Sequence, residues 1–228
     1  MYRVLMEVPR KLPVMTVSQA VLFPQAMLPL HIFEERYREM LNDSLESHRM
    51  MSISLAHKHE EPGHESFEEP HQIVGIGLVR VAVGRPDGTS NLILQGLCRA
   101  RITKILEDKS YFEANLTPLD TVDKGSEVEV DALAAKVAEL IAERNRFGSP
   151  VPAEIIKFLV GLNDADVLTD LVSFNLLKDA DKQQQILETV DLRERLRCLI
   201  RFLQDEINHL KLLEKLKGTG GGENIGLN

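Results

Sequence analysis

Residues 57–71 gather four histidines and five glutamates: His57, His59, His64 and His71 with Glu60, Glu61, Glu65, Glu68 and Glu69. Imidazoles and carboxylates together can hold zinc or nickel, and His57 and His59 alternate at a candidate strand end, so both rings could face one ion with His64 or Glu65 completing the set. Pro62-Gly63 and Pro70 mark the same stretch as a long polar loop, whose ordering entropy the metal itself would have to offset. A solvated acidic loop is the preferred reading. A metal- or ligand-binding protein or enzyme built on His57, His59 and His64 is the alternative, and no cofactor is expected. Ser52, Ser54 and Ser66 lie near these histidines in sequence, but nothing around them resembles a nucleophile elbow or an oriented triad.

Other reactive side chains are dispersed. Cys98 and Cys198 show neither C-x-x-C spacing nor a partner cluster, and both read as small reduced residues. The glycine run Gly218-Thr219-Gly220-Gly221-Gly222 lacks a following lysine and trails a helical pattern instead of opening one. It therefore reads as a flexible tail over 218–228, not as a phosphate-cradling loop.

A chain of 228 residues with 43% hydrophobic and 27% charged residues has enough apolar content for one sizeable core or two small ones. A net charge of −8, with no Lys/Arg block interleaved with aromatics, argues against a nucleic-acid partner. No run approaches the roughly 18 apolar residues of a bilayer span, and the start of the chain lacks a signal-peptide pattern. The expectation is a cytoplasmic protein without membrane contact.

The elements that position these residues fall into two halves. Strand patterns occupy 14–17, 22–23, 30–32, 50–55, 73–83, 91–102 and 111–116, with one helix from Phe33 onward marked by Phe33, Tyr37, Met40, Leu41 and Leu45. Six or seven short strands and a helix suit a small twisted barrel over 1–120. After the polar stretch 121–126 the pattern is helical over 127–217. Gly148 and Pro150 stop a first helix, Pro152 opens a second, Asn163 or Asp164 caps a third, and a fourth follows Asp179. Asp191 and Glu194 form a capping box for a long last helix. Its stripe Leu196, Ile200, Leu203, Ile207 and Leu210 is a packed seam, read as intramolecular in preference to a homodimer or another partner helix.

The run Leu22-Phe23-Pro24, then Leu28-Pro29-Leu30-His31-Ile32-Phe33-Glu34-Glu35-Arg36-Tyr37, resembles the signature of the N-terminal, substrate-binding domain of the Lon protease family. Gly96-Leu97-Cys98-Arg99-Ala100-Arg101-Ile102 resembles a further strand of that domain, and Lys182-Gln183 through Arg195-Leu196 resembles its helical part. The resemblance implies an α+β fold: a PUA-like β pseudo-barrel with one helix, then an all-α subdomain ending in a long helix. Within it, Phe23, Pro24, Pro29, Ile32, Phe33, Glu34, Arg36 and Tyr37 are expected to be architectural. Phe33 and Tyr37 would pin the helix to the barrel, Glu34 and Arg36 would form a surface pair, and Gly75 and Gly96 would allow tight backbone approach. Asp191 would cap, and Lys182 or Arg195 would pair with carboxylates.

The function implied is a non-catalytic module that recognises unfolded or exposed apolar polypeptide segments, acting as an adaptor linked to ATP-dependent proteolysis. Its partners would be polypeptide substrates or a protease/ATPase. Met27, Met50 and Met51 are candidate substrate contacts, since methionine adapts to varied shapes, although buried core is the preferred reading for each. The sequence shows neither a Gly-Lys-Ser/Thr phosphate loop nor a serine–lysine dyad, so the expectation is a stand-alone domain without protease activity.

Overall fold

The structure, a computed structural model, describes residues 7–57, 69–123, 126–147 and 151–219, the side chains of 217–219 excepted. The chain order is β1 (Lys11–Val17), β2 (Met27–Ile32), α1 (Glu35–Glu46), β3 (Met50–Leu55), β4 (Ile73–Gly84), β5 (Ser90–Leu106), β6 (Phe112–Leu119), then α2 (Glu127–Arg146), α3 (Ala153–Val160), α4 (Ala165–Leu176), α5 (Ala180–Glu188) and α6 (Leu192–Thr219). This is the expected α+β order.

The length of β5 closes the sheet. One edge of this 17-residue strand pairs with β4, while its other edge pairs with β2 through residues 90–95 and then with β6 through 99–106. The order β2-β5-β4-β3-β1-β6, with β6 returning to β5, makes a five-strand barrel and leaves β2 attached to β5 alone. Closure removes the exposed edges of the other strands.

The strand expected at 22–23 is absent. Val21, Leu22 and Phe23 instead cross the sheet without joining its ladder, and all three are buried. The crossing is so close that a Cβ on Gly75 would lie 2.0 Å from the Leu22 carbonyl oxygen, and one on Gly96 would lie 1.9 Å from that of Phe23. Both glycines therefore have the role expected of them, and the contact they permit is with this segment. Pro24 then starts a turn in which Gln25 takes φ 65°.

Tyr37 pins α1 as expected: it is buried, its hydroxyl donates to the Thr16 carbonyl at 3.0 Å, and the Thr16 amide donates to it at 3.2 Å. Phe33 does not. It is 62% exposed, because the helix begins only at Glu35, and Phe33 stacks on His31, with ring centroids 6.1 Å apart. Glu34 and Arg36 form the surface pair, at 2.8 Å.

In the helical half, side-chain oxygens of Ser126, Asp164, Asp179 and Asp191 accept backbone amides in the first turns of α2, α4, α5 and α6. Helices α2 and α6 run parallel, with Glu129 paired to Arg193 and Arg197 at one end and Glu143 to Lys211 at the other. The seam is intramolecular: Leu196, Leu203 and Ile207 share a core with Val137, Leu140 and Ile141. Beyond α2 the end of α6 exposes Leu212, Leu213 and Leu216.

Packing does not stop where strands give way to helices. Val21, Phe23, Ala26, Leu55 and Ile73 of the barrel belong to the same apolar cluster as α2, α4, α5 and α6. Across this junction lies a buried ionic hub. Arg99 on β5 grips Asp170 on α4 with both terminal nitrogens, one of them at 3.0 Å, and its Nε donates to the Leu187 carbonyl of α5 at 3.1 Å. Arg195 on α6 donates to the same carboxylate at 3.1 Å, pairs with Asp166 at 2.8 Å and donates to Thr121 Oγ1 at 3.1 Å. Of the two cations proposed for pairing, Arg195 takes the carboxylates, while Lys182 lies 5.3 Å from the Phe202 ring centroid. Burial pushes the Asp170 carboxyl up from its ordinary value, and the charges of Arg99 and Arg195 oppose that push.

Two outcomes follow. Asp170→Ala leaves the buried Arg99 guanidinium without its carboxylate and Arg195 with Asp166 alone, and should lower the unfolding free energy by about 3–5 kcal/mol in urea titration. Gly75→Ala drives a methyl into backbone that cannot step aside and should cost about 1–3 kcal/mol, whereas unchanged stability would mean that the 21–23 crossing is easily displaced.

Candidate functional site

The outward face of β2, β5 and β4 is built in rows. Pro29, Ile93 and Val81 are cross-strand neighbours, followed by His31, Asn91 and Val83, with Gln95 beside Met27 on the opposite flank. Exposure is 47% at Met27, 37% at Ile93, 47% at Val81 and 56% at Val83. Phe33 extends the patch past the end of β2. Its polar members bond to one another: His31 Nδ1 lies 2.8 Å from Asn91 Oδ1, and Arg80 Nε donates to Gln95 Oε1 at 2.6 Å. A contiguous apolar surface with satisfied polar groups is suited to contact with another apolar chain.

A β-bulge creates this face. Val79 pairs with Leu94 and Val81 with Ile93, so Arg80 is an extra residue of β4 without a partner position on β5. Side chains beyond an extra residue change face. Val79 is accordingly buried and Val81 exposed, although a regular strand would put both on one side.

Of the three methionines singled out, only Met27 lies on this surface. Met50 is 4% exposed and Met51 is fully buried, so both support the barrel core instead of a contact surface. The reason is that both faces of β3 are covered: Met50 shares a core with Leu12, Val14, Val74 and Ile76, and Met51 packs with Tyr37, Met40 and Leu41 of α1. Pro29 and Phe33, expected to be architectural, join the exposed face. Sequence reasoning missed Val81, Val83 and Ile93. Their signal was the unbroken apolar triplet Leu92-Ile93-Leu94, which puts apolar side chains on both faces of β5.

His59 and His64 lie outside the described residues. The His57 and His71 rings stack at 3.9 Å, and His71 Nδ1 lies 3.2 Å from Glu188 Oε1 on α5. Among the described residues, no group of three His, Cys, Asp or Glu side chains is placed to hold a metal ion.

A cleft of about 440 Å³ opens between α1, β1 and β6, lined by Lys11, Asp43, His48, Lys109, Tyr111 and Glu113 among others. Its charges largely satisfy one another: Lys109 and Tyr111 both bond to Asp43, at 2.5 and 2.6 Å, and Lys11 pairs with Glu113 at 2.5 Å. Burial, and then the bond to Asp43, pushes the Tyr111 hydroxyl up to about 12.

Residues 11–205 match the family model described as the ATP-dependent protease La (LON) substrate-binding domain. The chain belongs to that family. It is 25% identical over 213 residues to the Lon protease of Dictyoglomus thermophilum and 26% identical over 216 residues to that of Clostridioides difficile. Each match covers 92% of this chain but only 26% and 27% of those relatives, so the chain spans about a quarter of their length. The N-terminal domain of the Mycobacterium avium complex Lon protease superposes with a TM-score of 0.69 at 21% identity, covering 86% of this chain and 98% of that one. A Lon N-terminal domain protein from Xanthomonas campestris gives 0.60 at 18% identity, covering 84% and 97%. These likenesses show the Lon N-terminal fold, and the family match covers a substrate-binding region, not a catalytic one. No helix among the described residues is long and apolar enough to cross a membrane.

The cleft yields a pH prediction. Hydrogen bonds from Lys109 and Tyr111 hold the Asp43 carboxyl below its ordinary value. Its folded value therefore lies under its unfolded one, so the associated stability is present above about pH 4 and is lost as pH falls through the lowered value. Asp43→Asn should be less stable than the parent near pH 6, and the gap should close as pH approaches 2. A gap that is constant over this range would show that the Asp43 charge is not its origin.

Proposed function

We propose that this chain is a non-catalytic binding module that holds unfolded or extended apolar polypeptide segments on the outward face of β2, β5 and β4, in the service of ATP-dependent proteolysis carried out by a Lon-type protease/ATPase. The observation that carries this reading is the exposed row Pro29, Ile93 and Val81, bounded by Met27, Val83 and Phe33. Unfolded chains differ from folded ones in presenting apolar side chains and unpaired backbone, and a shallow apolar face without an obligatory charge partner can accept many sequences. The description of the matched family supports the same assignment. Two cysteines without a disulfide suit a reducing compartment, which favours action in the cytoplasm.

The test is binding of a reduced, unfolded polypeptide, followed by co-elution and by suppression of its aggregation. The triple substitution Val81→Thr, Ile93→Thr and Phe33→Gln removes apolar area while keeping strand-compatible residues in the sheet. It should weaken binding about tenfold or more without lowering the thermal midpoint, since about 1.4 kcal/mol of lost apolar contact is sufficient. Undiminished binding by a folded triple variant would place the contact elsewhere.

A further inference from the structure

The face described above ends at an open strand edge, and that edge supplies a second kind of contact. β2 pairs with β5 on one side, and no described strand pairs with its other side. The direction of its backbone groups follows from the ladder. Gly96 N–H donates to the Ala26 carbonyl at 2.8 Å, one step before the Met27 to Gln95 pair. Residues two apart turn their amides the same way, so Leu28, Leu30 and Ile32 face β5 while Met27, Pro29 and His31 face the open edge. Pro29 fits this phase, because its missing N–H costs no ladder bond there. The open edge thus presents N–H and C=O at Met27 and His31, and a carbonyl alone at Pro29.

From this arrangement we propose that a client segment docks as an added antiparallel strand on the open edge of β2, its alternate side chains continuing the apolar row of Met27, Pro29, Ile93 and Val81. The proposal rests on the reading that polypeptide binds at this face and specifies how. In an antiparallel pair, residues directly opposite share a face, and at every second position they exchange backbone bonds, which on this edge are the positions of Met27, Pro29 and His31. Client residues opposite Met27, Pro29 and His31 would therefore place their side chains on the exposed apolar surface and their amides toward β2. The occupant is an extended segment with apolar residues at every second position over about five residues, because the bonding residues Met27 and His31 stand four apart. Backbone pairing is independent of sequence, which suits a module that meets many chains. The proline in the middle weakens the edge enough to discourage permanent pairing with a second copy.

The probe is a fluorophore-labelled ten-residue peptide of alternating valine and serine, titrated with the full chain and read by anisotropy. N-methylation of the valine nitrogens should weaken binding at least tenfold, and N-methylation of the serine nitrogens less than twofold. On the protein side, His31→Pro should weaken binding several-fold more than His31→Ala, which alters the same side chain but keeps the backbone N–H, both variants being checked for an unchanged thermal midpoint. Equal effects of the two methylation patterns, or the larger effect from the serine pattern, would overturn strand addition. If the triple variant of the preceding section still abolished binding in that case, the apolar face would stand without the paired edge. An unmethylated peptide that does not bind at all, together with no binding of unfolded polypeptide, would defeat both readings.

Discussion

A carboxylate shared by two arginines decides how the two halves of this molecule sit together. Asp170 comes from α4, Arg99 from β5 and Arg195 from α6, and through these three the hub also touches α5 at Leu187 and the 121–126 connection at Thr121. Bringing three charges out of water is costly, so the arrangement is tolerable only when every partner is in place. Apolar contact between barrel and helices could slide, but a bidentate pair cannot. The hub therefore sets orientation, and the surrounding apolar cluster supplies the bulk of the favourable energy. Because Arg99 lies on the strand that also carries Ile93, fixing the hub also fixes the exposed face.

Much of this was legible in the chain. Strand limits at 50–55 and 73–83, the helix opened after Pro152 and the cap at Asp191 follow from local chemistry: residue alternation, proline geometry, and side-chain oxygens before helical runs. The tight approaches at Gly75 and Gly96 were implied by the family resemblance. The intramolecular α6 seam followed from stripe length. The signature around Pro24 and Pro29 located the family, and the structure gives each proline a distinct place, one in a turn and one on an open edge.

What was not legible depended on tertiary placement. Alternation cannot reveal that Arg80 is an extra residue, so Val81 and Val83 appeared to belong with Val79. Met50 and Met51, candidate contacts for which the core was the preferred reading, are indeed buried, but that one lies inside the barrel and the other under α1 depends on what covers each face of β3. Phe33 fits a helical stripe with Tyr37, yet the helix starts two residues too late to include it. Leu22 and Phe23 satisfy every local criterion for a strand, and only the glycines of β4 and β5 show that they pass over the sheet instead of joining it.

The parallel packing of α2 and α6 has a mechanical meaning. At about 1.5 Å per residue, the 28 residues of α6 form a rod of about 42 Å whose first turn carries Arg195 and whose last turns outrun α2. A pull or twist on the projecting leucine-bearing end would travel along the helix axis to the guanidinium that holds Asp170. The far end of α6 is thus a handle, and the hub is the bearing through which its load reaches the barrel.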